Sequence, residues 1–230
     1  MNKSLTELIP MDTLDTDGAL RETADRLGVD TRAAFFRKAG LAGGSLLAGG
    51  AFMGAIPQLA SAARYTKGDR DILNFALTLE YLEAAFYTEA VAKGALTGVT
   101  AEFAKLVKAH ELTHVKTLRS TLGSHAVKKP KFDFQGTTSS QGSFQQTALV
   151  LENTGVHAYL GQAGRLHSKA LLGAAASIVT IEARHASAIA LIIQGTVSGK
   201  NGITPDGAFD TPKSKKAILK AVAGTHFIKS

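Results

Sequence analysis

Cysteine and tryptophan are absent from the 230 residues, and tyrosine occurs only four times. Without a thiol there is no disulfide framework, no thiolate zinc site and no iron-sulfur cluster held by cysteine, and nothing that reports the redox compartment. Acidic residues are the minority, 19 against 26 basic, for a formal net charge of +7. Residues 1–62 hold six basic and seven acidic groups, so a surplus of +8 falls on the rest. A surplus of this size marks an anionic partner only where it is gathered into a patch. Here it is scattered, densest at Lys128, Lys129, Lys131 and at Lys213, Lys215, Lys216 in segments that read as solvated loops. No nucleic-acid partner is expected.

What is present is oil: 45% of the residues are hydrophobic, enough to bury one sizeable core. The chain divides at about residue 62. Residues 1–30 are polar. Arg32, Phe35, Phe36, Arg37 and Lys38 then precede an Ala/Gly/Leu run from Ala39 to Ile56, and Ala60-Ser61-Ala62 follows. Charged region, moderately apolar segment and A-x-A site read as an export leader over 1–62, ahead of a domain over 63–230. The leader resembles a twin-arginine translocation signal at Thr31, Arg32, Phe35, Phe36 and Arg37, but Ala33 stands where the second arginine belongs. A periplasmic or envelope location is expected, with no membrane contact beyond export. The run is long enough to stay behind as an anchor if it is not cleaved.

One stretch of the domain occurs twice. Ala76-Leu77-Thr78-Leu79-Glu80, with Tyr87 seven residues after the Glu, returns as Ala148-Leu149-Val150-Leu151-Glu152, with Tyr159 seven after its Glu. Each copy is followed by a Glu-x-x-His, Glu111 with His114 and Glu182 with His185, at offsets between copies of 72 and 71 residues. On helices, positions three, four and seven away share a face. The face of Glu80 is Leu73, Ala76, Leu77, Ala84 and Tyr87; that of Glu152 is Ala148, Leu149, Gly155, Val156 and Tyr159. The face of Glu182 holds Ala175, Ile178, Val179, His185, Ala186 and Ile189, and that of Glu111 holds Ala104, Val107, Lys108, His114, Val115 and Leu118.

Ionised carboxylates aimed into a helical core each cost several kcal/mol unless a positive charge meets them. Four of them converging from four helices are neutralised by two divalent cations, and two neutral imidazoles complete the ligand set. Glu80, Glu111 and His114 would hold one metal ion, Glu152, Glu182 and His185 the other, with two carboxylates bridging. This is the ligand pattern of dinuclear carboxylate bundles. Oxygen ligands with imidazole suit iron or manganese, with dioxygen or peroxide as the small-molecule substrate. Glu83, one turn beyond Glu80, has Gly155 as its counterpart in the repeat and reads as an outer partner; so do Tyr87 and Tyr159, whose hydroxyls can reach ligating carboxylates.

A rival pattern lies in the same residues. His110-Glu111-Leu112-Thr113-His114 is a literal H-E-x-x-H, the helical zinc-peptidase signature, though it leaves Glu80, Glu152, Glu182 and His185 without a role. His125 and His226 read as solvated, and His157 and His167 as helix-surface or satisfied core residues.

Helices are expected over Asp69–Lys93, Thr100–Leu122 with Thr100 as N-cap, Ser143–His167 and Leu171–Gln194, with a short amphipathic helix near Lys213–Ala223. The aperiodic stretch from Gly123 to Gly142 is long for a compact domain; a crossover along the bundle explains it. The predicted fold is all-α: a four-helix bundle with a long crossover between helices 2 and 3, plus a C-terminal tail with a short helix.

From Asp69 to about Phe227 the chain resembles the bacterial ferritin-like domain family that includes desiccation-related proteins. The likeness is carried by Leu73-Asn74-Phe75-Ala76-Leu77-Thr78-Leu79-Glu80-Tyr81-Leu82-Glu83, Phe132-Asp133-Phe134, Glu182-Ala183-Arg184-His185 and Pro205-Asp206-Gly207-Ala208-Phe209-Asp210. It implies a four-helix bundle with a carboxylate-bridged di-iron or di-manganese centre and leaves the reaction open. Ferrous oxidation or peroxide turnover under oxidative or desiccation stress is one expectation. A non-catalytic stress or envelope scaffold with a static metal site is another. Homo-oligomerisation remains open, and nothing announces shell-forming contacts.

Overall fold

The structure, a computed structural model, describes residues 65–194 and 202–229. The expected leader over 1–62 lies outside the described residues. Four long helices follow one another: α1 over Lys67–Lys93, α2 over Gly98–Leu122, α3 over Gln141–Ala163 and α4 over Lys169–Gln194. A short helix, α5, covers Lys215–Thr225. The most extensive packing joins α1 to α2 and α3 to α4, giving two hairpins, and α1 also meets α3 while α2 meets α4. The all-α bundle expected from periodicity is the fold observed.

Local chemistry sets the helix ends. Thr66 and Asp69 form a capping box at the start of α1: Asp69 N–H donates to Thr66 Oγ1 at 3.0 Å and Thr66 N–H to Asp69 Oδ2 at 3.2 Å. The other oxygen of Asp69 accepts the backbone N–H of His167 at 2.8 Å, tying the turn between α3 and α4 to the same end. α1 stops at Gly94, which takes the left-handed conformation with φ of 68°.

Two expected boundaries moved. α2 has Thr97, not Thr100, at its N-cap, and without a side-chain capping bond; the Thr97 hydroxyl and N–H both donate to Gln141 Oε1. Thr100 is instead buried inside the first turn and accepts from Gln145 Nε2 at 2.8 Å. α3 ends at Ala163 rather than His167: from Gly164 the backbone closes short turns, Arg165 N–H to Gln162 O and Leu166 N–H to Ala163 O.

The crossover runs the length of α1 and is pinned near both its ends. Asn74 donates to His125 O at 2.9 Å and accepts from Val127 N–H at 2.8 Å; Thr138 donates to Glu89 and accepts from Lys93. Between Asn74 and Lys93 a helix rises about 28 Å, the reach that a bundle-length connection needs. Within this stretch Lys131–Phe132 forms strand β1, paired antiparallel with strand β2, Ile228–Lys229, from the tail. That small sheet was not expected, because two-residue strands show no alternation to read.

The tail is a strap. Lys213 N–H donates to His157 O at 3.0 Å, and Lys213 O passes so near Gly161 that an added Cβ there would lie 1.8 Å from it. Ile218, Val222 and Phe227 then bury against Phe86, Phe134 and Phe144, where Phe86 and Phe144 stack with centroids 5.2 Å apart. This aromatic cluster reaches Tyr87. A second apolar cluster, with Leu73, Leu77, Leu118, Leu122, Leu171 and Ile178, reaches Tyr159.

Candidate metal centre

Glu80 of α1, Glu111 of α2, Glu152 of α3 and Glu182 of α4 are each 0% exposed. His114 and His185, one turn after their Glu on α2 and α4, turn their Nδ1 atoms toward these carboxylates. His114 Nδ1 lies 3.2 Å from Glu80 Oε2, 3.3 Å from Glu111 Oε2 and 3.1 Å from Glu182 Oε1. His185 Nδ1 lies 3.1 Å from Glu152 Oε2, 3.2 Å from Glu111 Oε1 and 3.8 Å from Glu182 Oε2. All six predicted ligand positions therefore meet in one buried cluster.

This geometry fits a cation better than it fits protons. An imidazole Nδ1 carries at most one hydrogen, so it can satisfy only one of three surrounding oxygens. Glu111 Oε1 and both oxygens of Glu182 are buried with no hydrogen-bond partner, although imidazole nitrogens lie between 3.1 and 3.8 Å from them. Such orphans carry a desolvation cost that a metal ion removes. The donor atoms fall into two groups, each within a 4.8 Å span: Glu80, Glu111, His114 and Glu182; and Glu111, Glu152, Glu182 and His185. Glu111 and Glu182 belong to both, so either could serve two ions. Three carboxylates and one imidazole per group, with no thiolate, suit iron or manganese, and the residues present fit a pair of such ions.

The tyrosines cross between hairpins. Tyr87 of α1 donates to Glu152 Oε1 on α3, and Tyr159 of α3 donates to Glu80 Oε1 on α1 at 2.5 Å. Each hydroxyl fixes an outer carboxylate of the opposite hairpin and leaves its second oxygen for the cluster. Glu83 also joins the cluster's surroundings, 3% exposed. Its room comes from Gly155: a Cβ there would sit 3.3 Å from Glu83 Oε1 and 3.5 Å from Glu182 Oε2.

With protons alone, charge is distributed unevenly. Burial raises Glu111, as do the charges of Glu182 and Glu80, and burial with four neighbouring carboxylates raises Glu83. Burial pushes Glu152 up to about 7. Burial would raise Glu182 too, but the two charged imidazoles beside it, His114 and His185, outweigh burial and hold it down to about 2. Burial alone would lower the two histidines; the carboxylates around them win, raising His114 well above its usual range and His185 to about 12.

His110 separates the two readings of the sequence. As the first histidine of H-E-x-x-H it should share an ion with His114, yet it belongs to neither donor group. Its Nδ1 lies 2.9 Å from Nε2 of His185, on another helix. Glu111, the general base in the zinc reading, lies instead in both groups. Only the packing of α2 on α4 reveals the pairing, so no local spacing could have announced it. His157 is buried and pairs with Asp206 at 3.1 Å, as a satisfied core residue.

A bundle of four long helices that each deliver one buried glutamate to a common centre, with an imidazole one turn later on two of them, has the arrangement of helical bundles whose interior can hold metal ions. Comparison with family models agrees. The chain belongs to the ferritin-like domain family, whose model matches residues 68–195. Comparison with curated proteins returned no match.

Proposed function

We propose that the protein is an exported dinuclear metalloprotein, holding two iron or manganese ions, that oxidises ferrous iron or turns over peroxide or dioxygen under oxidative or desiccation stress. The observation that carries this reading is the sharing of Glu111 and Glu182 between two donor groups, since a carboxylate common to both is what couples two ions for two-electron chemistry. The ions, when bound, supply that redox chemistry and a place for a small oxygen species. The chain's own contribution is positional. Glu80, Glu111, His114 and Glu182 would hold one ion; Glu111, Glu152, Glu182 and His185 the other. Tyr87 and Tyr159 orient the two unshared carboxylates, and the flanking aromatic and aliphatic clusters keep bulk water from the centre. Export is supported by the leader's composition alone.

Elemental analysis of protein purified from its native host, followed by ferrous-oxidation and peroxide assays on reconstituted protein, tests this proposal. Two ions per chain with turnover are expected. Two ions with no turnover in either assay would return the protein to the scaffold class, and no stoichiometric metal would overturn the centre itself.

A further inference from the structure

His185 uses both of its ring nitrogens. Nδ1 faces Glu111 and Glu152 inside the cluster, and Nε2 lies 2.9 Å from Nδ1 of His110, whose ring is 5.1 Å away and inclined by only 18°. A neutral imidazole that offers its Nδ1 lone pair to a metal ion keeps its proton on Nε2, and that N–H needs an acceptor. His110 Nδ1, 2.9 Å away, stands where that acceptor is needed.

The first hairpin lacks the counterpart. His114 turns Nδ1 to three carboxylates, and among the described residues nothing pairs with its Nε2. The 71-residue offset that aligns Glu111 with Glu182 aligns His110 with Ile181, whose side chain cannot hydrogen-bond. The two donor groups thus match in ligand type and differ in what stands behind the histidine.

We propose that His110 is a positioning residue for His185, which fixes that ring's tautomer and direction and makes the Glu111, Glu152, Glu182, His185 position the tighter of the two for a divalent cation. This rests on the dinuclear reading above. Partners behind a metal-bound histidine are worth roughly 10- to 100-fold in affinity, so the gap between the two positions should be of that order.

The test uses the metal-free full chain titrated with cobaltous ion, read by calorimetry and by the visible d–d absorption of the bound ion. The unaltered chain should take up two ions in two resolved steps. His110→Ala should weaken the tighter step by roughly 10- to 100-fold and alter its absorption band, leaving the weaker step in place. His110→Asn, which restores an acceptor near Nδ1, should recover most of the loss. The proposal fails if His110→Ala leaves both steps unchanged, if it weakens both equally, or if Asn recovers nothing in a variant that unfolds at the same temperature. An unaltered chain that binds no cobaltous ion overturns the dinuclear reading and this proposal with it, whereas two steps that ignore His110 overturn the proposal alone.

Discussion

The two hairpins carry the same candidate ligands and not the same surroundings. Both supply a lone Glu, a Glu-x-x-His and a Tyr, and both deliver them to the centre by the same helical spacing. Behind those groups they part: α1 has Glu83 where α3 has Gly155, and α2 has His110 where α4 has Ile181. The exposed fraction of the His side chain differs as well, 12% for His114 and 5% for His185. The lesson concerns which positions electrostatics constrains. Four buried carboxylates require cations wherever they come from, so the ligands must match. A void needs only to be filled, so Glu83 and Gly155 compensate each other across the bundle.

The sharpest way to break this comparison is to remove a shared ligand and an unshared one. Glu111→Ala should weaken both ions by more than about 100-fold, beyond the range of an outer partner, whereas Glu80→Ala should cost only one. Elemental analysis after gel filtration would show fewer than two ions in each case; loss of a single ion from Glu111→Ala would refute the sharing.

The crossed tyrosines give the next largest effect. A hydrogen bond to a charged group is worth about 1.5–3 kcal/mol, or roughly 10- to 100-fold in affinity. Tyr87→Phe, on the first hairpin, should weaken the ion held by the second through Glu152, and Tyr159→Phe should do the reverse through Glu80. Stepwise metal titration distinguishes this from each tyrosine serving its own hairpin.

Protons compete for the same places. His185 is raised to about 12 without metal, so at neutral pH an entering ion must displace its proton, and the same holds for His114. Metal uptake should therefore release protons, and apparent affinity should rise with pH from about 7, where Glu152 titrates, toward 12, by up to about tenfold per pH unit for each proton displaced. Calorimetry in buffers of differing ionisation heat reads the proton count directly. Affinity that falls as pH rises would contradict the imidazolium picture.

The smallest effect concerns the notch. Gly155→Ala gains about 1 kcal/mol of helix propensity but crowds Glu83, at a cost of about 1–3 kcal/mol. Net destabilisation of about 1 kcal/mol is expected in thermal unfolding of the metal-free protein. In a Glu83→Ala background the same change should become stabilising by a similar amount. A sign that does not reverse would mean that Glu83 does not occupy the notch.

Much of this was legible from the residues alone, for a physical reason. A glutamate in an apolar stripe is conspicuous at any resolution, and four of them with two histidines at repeated spacing locate both the bundle and its centre. That Gly155 takes the place of Glu83 in the repeat was also visible, although the repeat does not say that the carboxyl occupies the space the glycine leaves. What escaped depends on contacts between hairpins. The His110 to His185 bond, the membership of Glu111 and Glu182 in both donor groups, and the claim of Gln141 on Thr97 all join residues that no periodicity relates. The β1 to β2 pairing escaped because strands of two residues leave no pattern.

That last pairing reaches across the chain in an unusual way. Lys131 meets Lys229, so the long connection between the hairpins is fastened by residues made almost a hundred positions later. On the ribosome, both hairpins can form and dock while their connector is still held only by side chains from α1. Closure of the aromatic end waits for Phe227 to emerge. An emerging chain therefore lacks the last apolar side chains of its aromatic cluster until the tail has been made.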